Sequence, residues 1–281
     1  MHYLSIVWDP SAGIDLGFFV IRYYSLMFVT AFVLGWFIMK KIFKNENEPI
    51  ERLDSLFIYM VLAILIGMRL GHVFFYQTEL LWQDPLSVIL PFSFVPEFRY
   101  TGFQGLASHG AAIGGIIAMY FYSKRISKKP ILWILDRVVL AVASGAIFVR
   151  IGNFINSEII GKPTGTDFGV IFKQLGEPFP RHPAQLYEAA GYVLVFLVLW
   201  YFYWKTNKSE YLGFLFGLFF VLLFTVRFIV EFVKESQGGF EDKLGNVLTT
   251  GQWLSIPFII IGAYFMWRSA SKRYDNPSAK A

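Results

Sequence analysis

Seven apolar stretches, near residues 19–39, 55–76, 104–123, 132–155, 186–204, 211–233 and 253–268, alternate with short polar connections. Each approaches the ~20 residues that an α-helix needs to cross a hydrocarbon core. The pattern therefore predicts an all-α polytopic membrane protein with seven transmembrane helices. No polar block is long enough for a second domain, so residues 1–281 read as a single membrane-embedded domain. Residues 1–18 hold no Lys or Arg, and no small-residue cleavage site follows them. The first apolar stretch is thus expected to remain as a helix rather than be removed as a signal peptide. Composition agrees, because only 16% of residues are charged where a soluble domain has about 25%.

The basic residues orient the bundle. Fifteen sit in connections one to two, three to four and five to six and in the C-terminal tail, among them Lys40, Lys124, Lys205 and Arg268; six lie on the other side. Lys and Arg accumulate on the cytoplasmic face, which predicts an outward N-terminus and a cytoplasmic C-terminus. The long connections near 77–103 and 156–185 then face outward. They carry Pro85, Pro91, Pro96, Pro163, Pro178 and Pro180 with Gly161, Gly165, Gly169 and Gly176, as expected of ordered extracytoplasmic loops.

Four arginines remain, and all fall within predicted helices toward their outer ends: Arg22, Arg69, Arg150 and Arg227. An Arg at membrane depth costs about 2.5–3.5 kcal/mol on insertion scales, so it needs a partner or an anionic ligand. Snorkelling to the interface would suit Arg22 and Arg69 equally well. In RIGNFINSEIIG (150–161), Arg150, Asn153 and Ser157 share a helical face, with Asn156 and Glu158 beside them. Arg227 and Glu231 stand one turn apart in RFIVEF, with Lys234 continuing the stripe, and a purely structural ion pair is the alternative there.

His109 opens HGAAIGG, where Gly110, Gly114 and Ala118 form a small-residue stripe for close helix packing. Histidine also exchanges protons near neutral pH. RHPAQLYE (181–188) enters the fifth stretch from outside, and Tyr24 follows Arg22 on the same leaflet. Cysteine is absent, and His2, His72 and His182 show no metal-ligand spacing with carboxylates, so neither a metal nor a cofactor is expected. The residues alone describe an outer-leaflet pocket suited to phosphate, which arginine binds with a planar fork of donors. They reach as far as a protein that binds or acts on an anionic lipid. An anionic-lipid-binding transporter or flippase-like protein is the rival, although no internal repeat of the transporter kind is visible.

The order HGAAIGG, RIGNFINSEIIG, RHPAQLYE and RFIVEF, with RYYSLM at 22–27, resembles the bacterial phosphatidylglycerol:prolipoprotein diacylglyceryl transferases over most of the chain. The resemblance implies a multi-pass enzyme of the bacterial inner membrane, with its active site toward the extracytoplasmic side. Its expected substrates are phosphatidylglycerol and lipobox-containing preprolipoproteins. The diacylglyceryl group would pass to the lipobox Cys thiol, forming a thioether and releasing glycerol phosphate, the first step of lipoprotein maturation. By matching motif, Arg150, Asn153 and Glu158 are implied to bind substrate, and His109, Arg227, Glu231 and Tyr24 to be catalytic. Either His109 or Glu231 would take the thiol proton. The chain departs from the family pattern at Val149, at Ala111 and Ala112, and at Leu223, where a Tyr is frequent; no role resting on that hydroxyl carries over.

Overall fold

A computed structural model describes residues 4–17, 20–90, 92–100, 107–236, 247–269 and 273–274. In chain order these form β1 (Ser5–Trp8), β2 (Gly13–Asp15), β3 (Val20–Arg22), α1 (Tyr23–Asn45), α2 (Ile50–Tyr76), the one-turn α3 (Leu80–Gln83), β4 (Phe92–Ser93) and β5 (Arg99–Tyr100). There follow α4 (Ser108–Tyr122), α5 (Ile131–Ile155), β6 (Gly169–Phe172), α6 (Ala184–Lys205), α7 (Phe214–Val230) and α8 (Thr250–Ser269). The start of the predicted third span, 104–106, and the basic residues Lys243, Lys272 and Lys280 lie outside the described residues.

Among the described residues, five helices are long and apolar enough to cross a membrane: α1, α2, α5, α6 and α7 with its extension to Val233. The protein is therefore a mostly helical, polytopic membrane protein. The other two predicted spans form helices as well, but α4 has only 15 residues, and α8 carries Pro257 inside it. Apolar side chains such as Val29 and Phe37 on α1 and Ile58, Leu62 and Leu65 on α2 stand exposed. Hydrocarbon is the solvent that suits such faces.

The connections depart from the all-α expectation, because three two-stranded sheets occur there. β1 pairs parallel with β6 from Ser5↔Gly169 to Trp8↔Phe172. Four residues are too few for an alternating pattern to show, and the partner lies far along the chain. Trp8 stacks on Phe154 at 4.5 Å and donates from Nε1 to its carbonyl at 3.0 Å. Phe154, Val170 and Phe172 complete a small buried core over the end of α5.

The chain divides into two compact units, Met1–Ile42 with Leu135–Ala281, and Phe43–Ile134. In the second unit α2 packs on α4 through facing glycines. A Cβ on Gly71 would lie 2.7 Å from the Gly110 Cα, and one on Gly110 would lie 2.9 Å from the Gly71 Cα. The small-residue stripe of α4 thus meets a second one on α2, Gly67 and Gly71. Arg69 donates to the carbonyls of Val88 and Ser87 at 3.1 and 2.7 Å, tying down the loop after α2. In that loop Asp84 accepts from the Phe94 N–H at 2.8 Å, and this bond above all holds its carboxyl below the usual range.

In the first unit α6 packs on α7, and α7 on α8. The fully buried Asp136 of α5 accepts from the N–H groups of Gly213 and Phe216 at 2.7 and 2.8 Å. Those groups open α7 and have no intrahelical partners, so a carboxylate from a neighbouring helix caps them and meets the positive end of the helix dipole.

Candidate active site

Three helix ends of the first unit supply a buried charged cluster. Arg150 leaves the last turns of α5, Glu188 the second turn of α6, and Arg227 the end of α7. Past Val230 the helix tightens, so that Glu231 and Lys234 follow on a short turn and an extended residue. Arg150 Nε lies 2.7 Å from Glu188 Oε2. Lys234 Nζ lies 4.0 Å from Glu188 Oε1 and 3.2 Å from Glu231 Oε2. Glu188 is fully buried, and Glu231 and Lys234 nearly so. Neither Glu188 oxygen has an aligned hydrogen bond among the described residues, so this carboxylate balances charge rather than anchoring a network.

Arg150 also turns Nη1 toward Asn153 Oδ1 at 3.3 Å, and its guanidinium sits 5.9 Å from the ring centre of Tyr192. Asn153 Nδ2 donates to Glu158 at 3.3 Å, and Asn156 reaches the other Glu158 oxygen at 3.1 Å. The Tyr24 hydroxyl meets the Asn153 side chain, and its ring lies where a Cβ on Gly152 would be, 2.8 Å away. Arg227 faces the same Tyr192 electrostatically. Its buried Nε has no hydrogen-bond partner among the described residues.

The cluster thus joins Arg150 and Lys234 to the buried carboxylates Glu188 and Glu231, and Arg150 through Asn153 to Glu158, with Arg227 on the adjoining end of α7. Paired charges are the normal condition inside a membrane bundle. A buried guanidinium donor left unused at Arg227 suits an anionic group with several acceptor oxygens.

A clasp on the adjoining loop sets the height of this cluster. Arg181 grips both oxygens of Glu177, Glu235 at 2.8 Å and the Gly161 carbonyl at 3.1 Å. Backbone bonds run beside it, Gly161 N–H to His182 O at 3.0 Å, Lys162 N–H to Val233 O at 2.8 Å and Glu235 N–H to Ile160 O at 3.0 Å. They fasten the segment after Glu158 to the segment carrying Lys234. Hydrogen bonding to Arg181 holds the Glu177 carboxyl below its ordinary range, and the Arg181 guanidinium is raised in turn, first by Glu177.

Of the residues singled out by sequence, Arg150, Asn153, Glu158 and Tyr24 come into one contact network. Glu231 joins it through Lys234 and Glu188, and Arg227 through Tyr192. His109 stands exposed in the first turn of α4, in the second unit. Of the four arginines expected inside helices, Arg69, Arg150 and Arg227 lie in α2, α5 and α7, and Arg22 does not. Arg22 ends strand β3 and is exposed, and Arg69 is occupied by loop carbonyls. Nor does Glu231 pair with Arg227 one turn away; Lys234 takes that place, because α7 ends between them.

Sequence reasoning missed Glu188, Tyr192, Lys234 and Gly251 as parts of the site. Glu188 had a signal, an acid inside an apolar stretch, as telling as the arginines. Lys234 continues the stripe of Arg227 and Glu231 in sequence, but no residue pattern there pairs it with Glu188. Gly251 gave none: a Cβ there would fall on the Glu231 carboxyl group, so glycine leaves it room.

Membrane-crossing helices around a buried, cation-rich cluster define an integral membrane protein with an anion site built into its helix ends. The pattern of the family described as prolipoprotein diacylglyceryl transferase matches residues 12–268. A phosphatidylglycerol–prolipoprotein diacylglyceryl transferase of Tolumonas auensis is 38% identical over 260 residues, 92% of this chain and 95% of the relative. Relatives of the same name from Bacteroides fragilis and Chloroherpeton thalassium are 39% and 38% identical, covering 96% and 95% of this chain and 97% and 95% of their own lengths. The chain belongs to the prolipoprotein diacylglyceryl transferase family, and it is an enzyme.

Proposed function

We propose that this chain moves the diacylglyceryl group of phosphatidylglycerol onto the lipobox cysteine of preprolipoproteins. The carrying observation, beside family membership, is the buried Arg227 Nε, which has no hydrogen-bond partner among the described residues. In the reaction the cysteine sulfur attacks the glyceryl carbon bonded to the phosphate oxygen. A C–S bond forms, that C–O bond breaks, and glycerol phosphate departs with the bonding pair.

A thiol of ordinary pKa near 8.5 must lose its proton first, and the leaving phosphate gains a negative charge that fixed cations stabilise. Arg150 and Arg227 take the phosphate, with Glu188 and Tyr192 holding Arg150 in place. Asn153 and Glu158 shape the headgroup side, and Tyr24 steadies Asn153. Either His109 or Glu231 accepts the thiol proton. On this reading all seven helices span the bacterial inner membrane, with the N-terminus and the site outward, and both units serve one transferase domain.

Proteoliposomes holding the protein, phosphatidylglycerol and a lipobox peptide test the reading. Thioether-linked lipid on the peptide and free glycerol phosphate are expected in equal amounts. No product, or equal yield from a peptide with Ser in place of the Cys, would refute it and leave lipid binding or transport. A reporter fused after Ala281 that behaves as extracytoplasmic would overturn the orientation.

A further inference from the structure

Two polar atoms beside the charged cluster are buried and bonded to nothing among the described residues: Gln185 Oε1 and Ser157 Oγ. Gln185 is fully buried, and Ser157 keeps 7% of its surface. Buried polar groups are nearly always paired, so two orphans in one neighbourhood call for a reason. Both bracket Glu158. Ser157 precedes it in the chain, and Gln185 Nε2 donates to its carbonyl at 2.6 Å. That carbonyl can only accept, which fixes the amide orientation and leaves Oε1 as the unused acceptor.

The backbone here is strained as well. Ser157 and Ile159 adopt φ of 54° and 56°, a region that a β-branched residue such as Ile159 rarely enters. Surrounding bonds hold it there: Glu158 N–H to Asn153 O at 2.9 Å, Gln185 to Glu158, and Glu235 N–H to Ile160 O. Strain that neighbouring bonds over-determine concentrates at ligand clamps.

The corner is rich in acceptors. Glu158 receives one bond on each oxygen, from Asn153 and Asn156, and a carboxylate offers about four lone-pair sites. Gln185 Oε1 accepts only, and Ser157 Oγ can accept or donate. A matching ligand brings hydroxyl donors.

We propose that Gln185, Ser157 and Glu158 bind the free vicinal hydroxyls of a glycerol headgroup whose phosphate lies at Arg150, and so select a polyol phospholipid as donor. The assignment rests on the transferase reading. Gln185 and Ser157 then govern which lipid is used and hold the departing glycerol phosphate by its far end.

The test compares two donors in the lipobox-peptide assay with the full-length protein: phosphatidylglycerol, and phosphatidylpropanol, whose headgroup keeps the three carbons and lacks both hydroxyls. A site built to bond a substrate hydroxyl rejects the analogue without it strongly, and a preference of at least about 30-fold in kcat/KM is expected of the wild type. Ser157→Ala should lower kcat/KM for phosphatidylglycerol about 5-fold and leave phosphatidylpropanol within about 2-fold, and Gln185→Leu, which also removes the bond to the Glu158 carbonyl, should lower the ratio of the two donors about 30-fold. Ser157→Ala removes an atom that makes no bond in the fold, so it remains decisive if Gln185→Leu folds poorly. Efficient lipidation with a donor ratio unchanged in both variants, or no preference in the wild type, refutes the assignment alone. No lipidation by the wild type with either donor refutes the transferase reading, and the assignment with it.

Discussion

Gly251→Ala moves the Glu231 carboxylate without altering its chemistry. The added Cβ falls on the carboxyl group itself, and Glu231 is a flexible side chain that can swing away. Leaving its rotamer well costs about 1 kcal/mol. The larger loss is electrostatic, since Glu231 Oε2 lies 3.2 Å from Lys234 Nζ in a buried setting. At an effective dielectric near 20, opening that separation to about 5 Å forfeits about 2 kcal/mol. Replacing a helical Gly by Ala returns up to about 1 kcal/mol, which leaves a net loss near 2 kcal/mol.

Lys234 also lies 4.0 Å from Glu188, and Glu188 holds Arg150, so the displacement reaches the phosphate site. A misplacement of about 1 Å at reacting groups lowers rates about 10²-fold. The assay is peptide lipidation at varied phosphatidylglycerol, with melting in detergent measured alongside. Gly35→Ala on α1, whose Cβ would sit 3.5 Å from Ala141 at ordinary contact, serves as the control and should behave as wild type. Wild-type kinetics and melting in Gly251→Ala would refute the claim that Lys234 and Gly251 together hold Glu231 in place.

Arg227→Gln should lower kcat/KM about 10²- to 10³-fold, the usual effect of removing a donor to a developing oxyanion. Arg227→Lys should fall between, because it keeps charge and loses the fork; full activity in the Gln variant would remove Arg227 from the site. Gly110→Val would press a side chain into the α2 backbone and destabilise the second unit by about 3 kcal/mol. Unchanged expression and melting would contradict that packing. Acid should weaken the Arg181 clasp. The folded Glu177 carboxyl lies below its ordinary 4.5, so its stabilisation is present above that pH and disappears as the pH falls through the folded value. The melting temperature of the wild type should therefore drop on acidification below about pH 4.5, and that of Glu177→Gln, lower at neutral pH, should drop less. Parallel curves would show that the pair contributes nothing.

Much of the fold follows from the apolar pattern, since hydrocarbon admits few solutions for a polar backbone and spans are long enough to read. α1, α2, α5, α6 and α7 lie where their apolar runs lie. The small sheets were invisible for the opposite reason. β1 and β6 are four residues each and meet only because the segments before α1 and after α5 fold over the end of α5.

For the site, sequence by itself determined which charges stand in apolar surroundings, because a lone charge there is costly whatever the fold. Arg150, Asn153 and Glu158 also share a motif short enough that local geometry brings them together. Tertiary structure alone decided the pairing. It put Arg22 at the end of a strand, gave Arg69 to the carbonyls of Ser87 and Val88, and joined Glu231 to Lys234 instead of Arg227. It placed Glu188 against Arg150 and left room at Gly251 for a carboxylate. Each of these depends on where one helix stops and which end of another meets it, and distances between elements far apart in the chain are set only when the chain packs.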